Sequence, residues 1–93
     1  MYYTCVLLSE QGGRFYTGYT ADLRKRLGEH QRGRVRWTAS RHPVRLVYYE
    51  ACVSQEDALR RDRFLKSGKG KRYLRNRLKA HLNSVSSNKL ERY

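Results

Sequence analysis

Four residues of this 93-residue chain have side chains suited to cutting a phosphodiester: Tyr16, Arg26, His30 and Asp62. An arginine can fix a phosphate through paired hydrogen bonds, and a histidine can donate to a second oxygen or relay a proton. A carboxylate can carry a magnesium ion to a phosphate, and a tyrosine near that metal can accept a proton or position the attacking water. Each also has a plainer explanation: a solvated arginine, a packed histidine, a strand tyrosine or a carboxylate in a salt bridge.

Helical spacing brings two of these residues to the edge of a buried stripe. A first helix is predicted over residues 21–32, where Leu23 and Leu27 lie four residues apart among charged neighbours. Arg26 and His30 then neighbour each other across one helical turn, beside the leucines. This placement suits a partly buried pair that faces a phosphate.

Asp62 lies inside the apolar stripe of a second predicted helix. Ala58 precedes it by four residues and Leu65 follows it by three, so all three side chains share one helix face. A carboxylate facing a core is costly unless it is paired or bound to a metal. A salt bridge to one of the many arginines and a metal site both remain open.

The elements that carry these residues follow from periodicity and turn signals. The first half of the chain is predicted to contain strands over residues 2–8 and 14–19, a helix over 21–32 capped by Thr20 or Asp22, and an exposed loop over 34–43. A strand over 44–53 follows, and then a helix from a cap at Ser54 to about residue 66. The last elements are a break over 67–71, a helix over 72–82 and a flexible polar tail over 83–93. This ββαβαα order predicts an α+β domain over residues 1–82, a small three-stranded antiparallel or mixed sheet flanked by helices.

The charge of the chain indicates its partner. A formal net charge of +13 and a pI near 10.4 attract polyanions, and nucleic acid is the first to consider. Basic and aromatic residues outside the four candidates are predicted to contact it: Tyr19, Lys25, Arg34, Arg36, Trp37, Arg41, Lys66, Lys69, Lys71 and Arg72. Trp37 is suited to stacking on an unpaired base.

Several other classes are disfavoured. The chain has no apolar run near the roughly 20 residues of a spanning helix and no leader-like start, so we expect a cytoplasmic protein without a membrane partner. Cys5 and Cys52 lack the spacing of a zinc site and are expected to be reduced core thiols. We expect no small-molecule cofactor, and a monomer or a weak homodimer.

Over about residues 2–78 the chain resembles the GIY-YIG nuclease domain in its small stand-alone form. The motifs are Val6-Leu7-Leu8-Ser9, Tyr16-Thr17-Gly18, Tyr19-Thr20 with Asp22-Leu23, the spaced Arg26 and His30, Val47-Tyr48-Tyr49-Glu50, and the stretch from Ala58 through Asp62 to Lys66. The resemblance implies one divalent metal, Mg²⁺ or Mn²⁺, held by Asp62, with Tyr16 near the attacking water. It implies that Arg26 and His30 bind and polarise the scissile phosphate, leaving 5′-phosphate and 3′-hydroxyl ends.

Two positions depart from that family pattern. Cys5 stands where the first motif has a tyrosine, and its thiol cannot replace a phenol hydroxyl. Asp62 stands where glutamate is usual, which draws the carboxylate back by one bond, about 1.5 Å. A shift of that size can cost on the order of 100-fold in rate.

Three hypotheses follow. The first is a metal-dependent endonuclease acting on DNA in repair or processing. The alternative is a nucleic-acid-binding module on the same scaffold with weak or lost catalysis. A basic protein that assembles on structured RNA ranks last, because it leaves the acidic residue in the helix stripe unexplained.

Overall fold

The central strand of the protein is its most apolar segment. The computed structural model describes residues 1–84, apart from the side chain of Trp37. Its elements are β1 (Tyr2–Ser9), β2 (Phe15–Thr20), α1 (Leu23–Gln31), α2 (Arg36–Ala39), β3 (Val44–Cys52), α3 (Gln55–Lys66) and α4 (Gly68–Arg77). The strands form one antiparallel sheet in the order β2-β1-β3. The predicted α+β fold is therefore confirmed, and the sheet contains no parallel pair.

The β1–β2 hairpin is set by its turn and by the apolar content of β1. Gly12 and Gly13 have φ angles of 86° and 67°, a left-handed conformation that favours glycine. Every residue from position 4 to position 9 is buried, so both faces of β1 are covered. Helix α3 packs on one face, where Thr4 Oγ1 donates to the Ala58 carbonyl at 2.9 Å.

Helices α3 and α4 meet the sheet in the main hydrophobic core. Val6, Leu65 and Leu74 are completely buried there. Gly70 allows the close approach of the two helices, because a Cβ atom at that position would lie 1.9 Å from the Phe64 carbonyl oxygen. The predicted break over residues 67–71 is therefore too long, because Gly70 lies within a helix and serves this close approach. The break is at Ser67, whose Oγ accepts from the Gly70 amide, and α4 starts at Gly68.

Two other predicted elements change, and one predicted cap keeps its position. Helix α1 begins at Leu23 because Asp22 caps it, with Oδ1 accepting from the Lys25 amide at 3.1 Å. The predicted loop over residues 34–43 contains the short helix α2, in which Thr38 is completely buried. Ser54 occupies the cap position of α3 without a side-chain capping bond.

The C-terminal part differs from the expected single helix over residues 72–82. Helix α4 ends at Arg77, Leu78 forms a turn, and helical conformation resumes over residues 79–84. Residues 83 and 84, predicted to begin a flexible tail, are therefore helical. The rest of that predicted tail, residues 85–93, lies outside the described residues.

Candidate active site

The β1–β2 pair places Cys5 and Tyr16 on neighbouring strands. Cys5 pairs with Gly18, and its Sγ donates to the Gly18 carbonyl at 3.5 Å. Tyr16 lies two residues away on β2, opposite Leu7. Tyr19 alternates to the other face, where its ring stacks on Tyr2 with centroids 6.2 Å apart. The structure thus separates Tyr16 from Tyr19, as their spacing predicts.

Arg26 of α1 contributes a buried nitrogen that has no partner. Its Nε makes no hydrogen bond within the described part of the chain. Burial raises the pKa of the Cys5 thiol; the Arg26 charge opposes this rise and the Asp62 charge adds to it. Arg26 and Asp62 therefore both lie within electrostatic reach of Cys5, which joins the first helix, the central strand and the third helix in one site.

His30 is held as a neutral ring. It is 5% exposed, and its Nδ1 shares a 2.7 Å hydrogen bond with Thr38 Oγ1, a completely buried hydroxyl. Burial, and after it the nearby Arg26 charge, lower the pKa of His30 to about 4. No sequence pattern marks Thr38 as a partner of His30, because only the folding of α2 brings it to the imidazole.

Asp62 is buried and only half satisfied. It is 8% exposed, and its Oδ2 accepts from Lys66 Nζ at 3.1 Å, while Oδ1 has no hydrogen-bond partner among the described residues. The salt bridge considered for Asp62 therefore exists, but the partner is a lysine one turn later. Lys66 lies four residues after Asp62, and this i,i+4 spacing is visible in the sequence.

The unpartnered Asp62 oxygen fits a hard divalent cation. Within residues 1–84, no group of three or more His, Cys, Asp and Glu side chains is arranged around a possible ion. An ion at Oδ1 would thus have one protein carboxylate, with water and phosphate oxygens completing its shell. Magnesium is commonly bound in this way, through one or two carboxylates and substrate phosphates.

The predicted nucleic-acid contacts are mostly at the surface. The exposed ones are Lys25, Arg34, Arg36, Arg41, Lys66, Lys69, Lys71 and Arg72. Tyr19 is half-buried in its stack with Tyr2, and the side chain of Trp37 lies outside the described part of the structure. Next to Tyr16 is a cavity of about 240 Å³, lined by Phe15, Tyr16, Thr17, Lys66 and Lys71.

Most of the chain matches a known family. Residues 1–74 match the GIY-YIG catalytic domain, and the chain belongs to the GIY-YIG family. Nucleases of this family generally use a divalent metal. No helix within residues 1–84 has the length and apolar character needed to cross a bilayer.

The relatives are small proteins that carry only a family designation. The chain is 42% identical over 55 residues to the UPF0213 protein SAG0778 of Streptococcus agalactiae serotype V, which covers 58% of this chain and 62% of that one. It is 44% identical over 59 residues to a UPF0213 protein of Lacticaseibacillus paracasei, which covers 62% of this chain and 65% of that one. The chain thus spans slightly less than two thirds of these relatives.

A solved structure is also similar. The solution NMR structure of the UPF0213 protein BH0048 from Bacillus halodurans is 35% identical, with a TM-score of 0.49. The similarity covers 80% of this chain and 82% of that one.

Proposed function

We propose that this protein is a divalent-metal-dependent endonuclease that hydrolyses phosphodiester bonds of DNA, in repair or nucleic-acid processing. One observation carries the proposal: Asp62 Oδ1 and Arg26 Nε are both buried without a hydrogen-bond partner among residues 1–84, and both groups act electrostatically on Cys5. Buried polar atoms are normally paired, and unpaired ones call for an explanation such as an ion or a substrate. A metal-bound phosphate would satisfy both atoms.

In this proposal, the Asp62 carboxylate is the metal ligand and the Lys66 ammonium is its partner. Asp62 binds the metal through Oδ1, and Lys66 keeps Oδ2 and fixes the orientation of the carboxylate. When bound, a divalent ion neutralises developing negative charge on the phosphate and favours ionisation of a water. Lys66 Nζ also limits the negative potential around Asp62 when no ion is bound.

Arg26 and His30 are proposed to bind the scissile phosphate. The Arg26 guanidinium supplies donors in a fixed plane that matches two phosphate oxygens. In the tautomer that carries the proton on Nε2, the neutral His30 ring donates to a phosphate oxygen while its Nδ1 shares a hydrogen bond with Thr38 Oγ1. Tyr16 is proposed to position the attacking water and to accept its proton.

The alternative is a nucleic-acid-binding module with weak or lost catalysis, and Cys5 favours it. The thiol donates to the Gly18 carbonyl, and it is a weaker hydrogen-bond donor and acceptor than a phenol, so it does not reproduce a tyrosine hydroxyl. On this alternative, the double variant Cys5→Tyr with Asp62→Glu gains cleavage that the wild type lacks. An inert double variant that still binds magnesium would count against it.

The proposal is tested with purified protein on labelled duplex, branched and single-stranded DNA and on RNA, with and without Mg²⁺ or Mn²⁺. We expect metal-dependent cleavage of DNA that disappears in Asp62→Asn and in Arg26→Ala. The matched control is Asp57→Asn, an exposed carboxylate of the same helix paired with Arg60, which should leave cleavage unchanged. Binding without cleavage on every substrate, or full activity in Asp62→Asn, would overturn the proposal.

Metal binding is measured separately from cleavage. We expect millimolar Mg²⁺ to raise the melting temperature of the wild type and of Asp57→Asn, because a ligand of the folded state stabilises it. Asp62→Asn should show no such rise. An equal rise in all three proteins would assign the ion to another site.

A further inference from the structure

The cavity beside Tyr16 has the composition of a phosphate site. Its volume is about 240 Å³, and its lining contains two lysines, three residues of β2 and no carboxylate. Phe15 packs against the core formed by Val6, Leu65 and Leu74, so its ring is a fixed apolar wall. Two cations above an apolar wall match the two parts of a nucleotide unit, a charged phosphate and a largely apolar sugar face.

Lys71 is available for a ligand. It is exposed, lies in the first turn of α4, and makes no ion pair within residues 1–84. No acidic residue is present in the first turn of that helix. Lys66, the other lysine of the lining, is held by Asp62 at 3.1 Å, and it therefore connects this cavity to the proposed metal site.

The cavity adjoins the proposed cleavage site, shares Tyr16 and Lys66 with it, and extends beyond it to Phe15 and Lys71. Arg26 and Asp62 are linked through Cys5, which pairs with Gly18, whereas the cavity begins at Tyr16 and extends to Phe15. Two residues along a strand correspond to about 7 Å, the scale of one nucleotide step along an extended backbone. Arg26 does not line the cavity.

We infer that this cavity is a subsite for the nucleic-acid backbone phosphate adjacent to the scissile one, with Lys71 binding the phosphate and Phe15 supporting its sugar. The inference rests on the proposed function and adds to it a second point of attachment for the strand. Two attached phosphates fix the direction of the strand across the site, so that the phosphate between Arg26 and Asp62 is presented in one orientation.

The test is an NMR titration of the metal-free, ¹⁵N-labelled protein with a thymidine dinucleotide bearing a 5′-phosphate. We expect saturable shifts in the amides of residues 15–17 and 70–71. Lys71→Gln should raise the apparent Kd about fivefold, the effect of losing one exposed charge contact, and Lys71→Arg should largely restore it. The matched control is Lys79→Gln, an exposed lysine outside both the cavity lining and the predicted nucleic-acid contacts, with less than a twofold change.

The outcomes separate this inference from the proposed function. Equal weakening in Lys79→Gln and Lys71→Gln, or shifts spread over the whole basic surface, would overturn the subsite. If the wild type cleaves DNA but the dinucleotide leaves residues 15–17 unshifted, the subsite is wrong and the nuclease proposal stands. If the dinucleotide binds there and no strand is cut, the subsite stands and the nuclease proposal is wrong.

Discussion

Arg61 and Asp62 are neighbours on α3, but their side chains belong to two different kinds of region. Arg61 Nε donates to Glu50 Oε2 at 2.8 Å, and its guanidinium lies 4.7 Å from the Tyr73 ring centroid and 5.0 Å from that of Phe64. We call this set, Glu50, Arg61, Phe64 and Tyr73, the aromatic clamp. Asp62 has one ammonium partner, Lys66, and its other oxygen has no hydrogen-bond partner in the part of the chain that the structure describes.

The two regions also differ in how they perturb ionisation. In the aromatic clamp, the bond to Glu50 raises the pKa of Arg61, and burial with the Tyr73 hydrogen bond raises the pKa of the adjacent Tyr48 to about 12. Both groups are held in their ordinary charge states by partners inside the protein. Around Asp62, in contrast, the donor Arg26 Nε and the acceptor Asp62 Oδ1 have no hydrogen-bond partner among residues 1–84. A buried polar atom that lacks a hydrogen-bond partner therefore distinguishes a candidate site from a structural interaction. The presence of an ion pair does not, because both regions contain one.

The largest difference between the regions should appear in cleavage. Asp62→Asn removes the charge that holds the metal, and we expect a loss on the order of 100- to 1,000-fold in kcat. Glu50→Gln, in the aromatic clamp, should leave the rate per folded molecule within about twofold. Single-turnover assays below the melting temperature of both variants measure this. A comparable loss in Glu50→Gln would mean that the clamp takes part in the chemistry.

Substitutions near the aromatic clamp should lower stability more than they lower the cleavage rate. The largest loss of stability is expected where α3 and α4 contact each other beside the clamp. Gly70→Ala forces a Cβ into the Phe64 carbonyl and the Leu65 backbone, and we expect it to destabilise the protein by about 3 kcal/mol or more. Gly68→Ala, with no heavy atom within 4 Å of its Cβ, should change stability by about 0.5 kcal/mol or less. Urea unfolding gives both values. Similar losses in the two variants would place the α3–α4 contact elsewhere.

On the site side, His30 should make stability depend on pH. Its pKa is lowered to about 4 in the folded state, so between about pH 6.5 and 4 the unfolded chain binds a proton that the folded chain does not. Stability is thus highest above pH 6.5 and falls by about 2–3 kcal/mol towards pH 4. His30→Gln should flatten this fall, and His81→Gln, at an exposed position, should preserve it. Urea midpoints across this range decide the matter; a slope unchanged in His30→Gln would contradict the buried neutral ring.

The smallest effect concerns the clamp ion pair itself. Glu50 and Arg61 are about one third exposed, so Glu50→Gln should cost about 1 kcal/mol. The control is Glu10→Gln, which removes the more exposed pair with Arg45 and should cost close to nothing. Thermal unfolding of both variants measures the difference. An equal cost would show that the aromatic rings around Arg61 add no stability to the pair.

Strand positions and helix faces were accessible from the sequence because they depend on local periodicity. The aromatic and apolar content of residues 2–8, the glycine turn and the alternation in residues 14–19 predict the hairpin. Apolar spacing correctly puts Asp62 on the buried stripe of α3. The start of α4 was not accessible. Glycine at position 70 indicates a break when read locally, whereas the structure needs it for the approach of another helix.

The details of the site depend on contacts between distant segments. The bond from His30 to Thr38 requires the basic segment after α1 to fold back as α2, and no periodic pattern marks that step. The same holds for the cavity that joins β2 to Lys71, since its parts are more than fifty residues apart. The roles of Tyr16, Arg26, His30 and Asp62 stay predictions until the variants are measured.

The strand order has a consequence for how the protein is made. β1 lies between β2 and β3, so the most apolar strand leaves the ribosome well before its second partner, Val44–Cys52, is synthesised. Until then the nascent hairpin exposes one long apolar strand edge, a template for pairing with other chains. The arginines and lysines between residues 24 and 45, which follow the hairpin, carry like charge and so oppose pairing between two such chains.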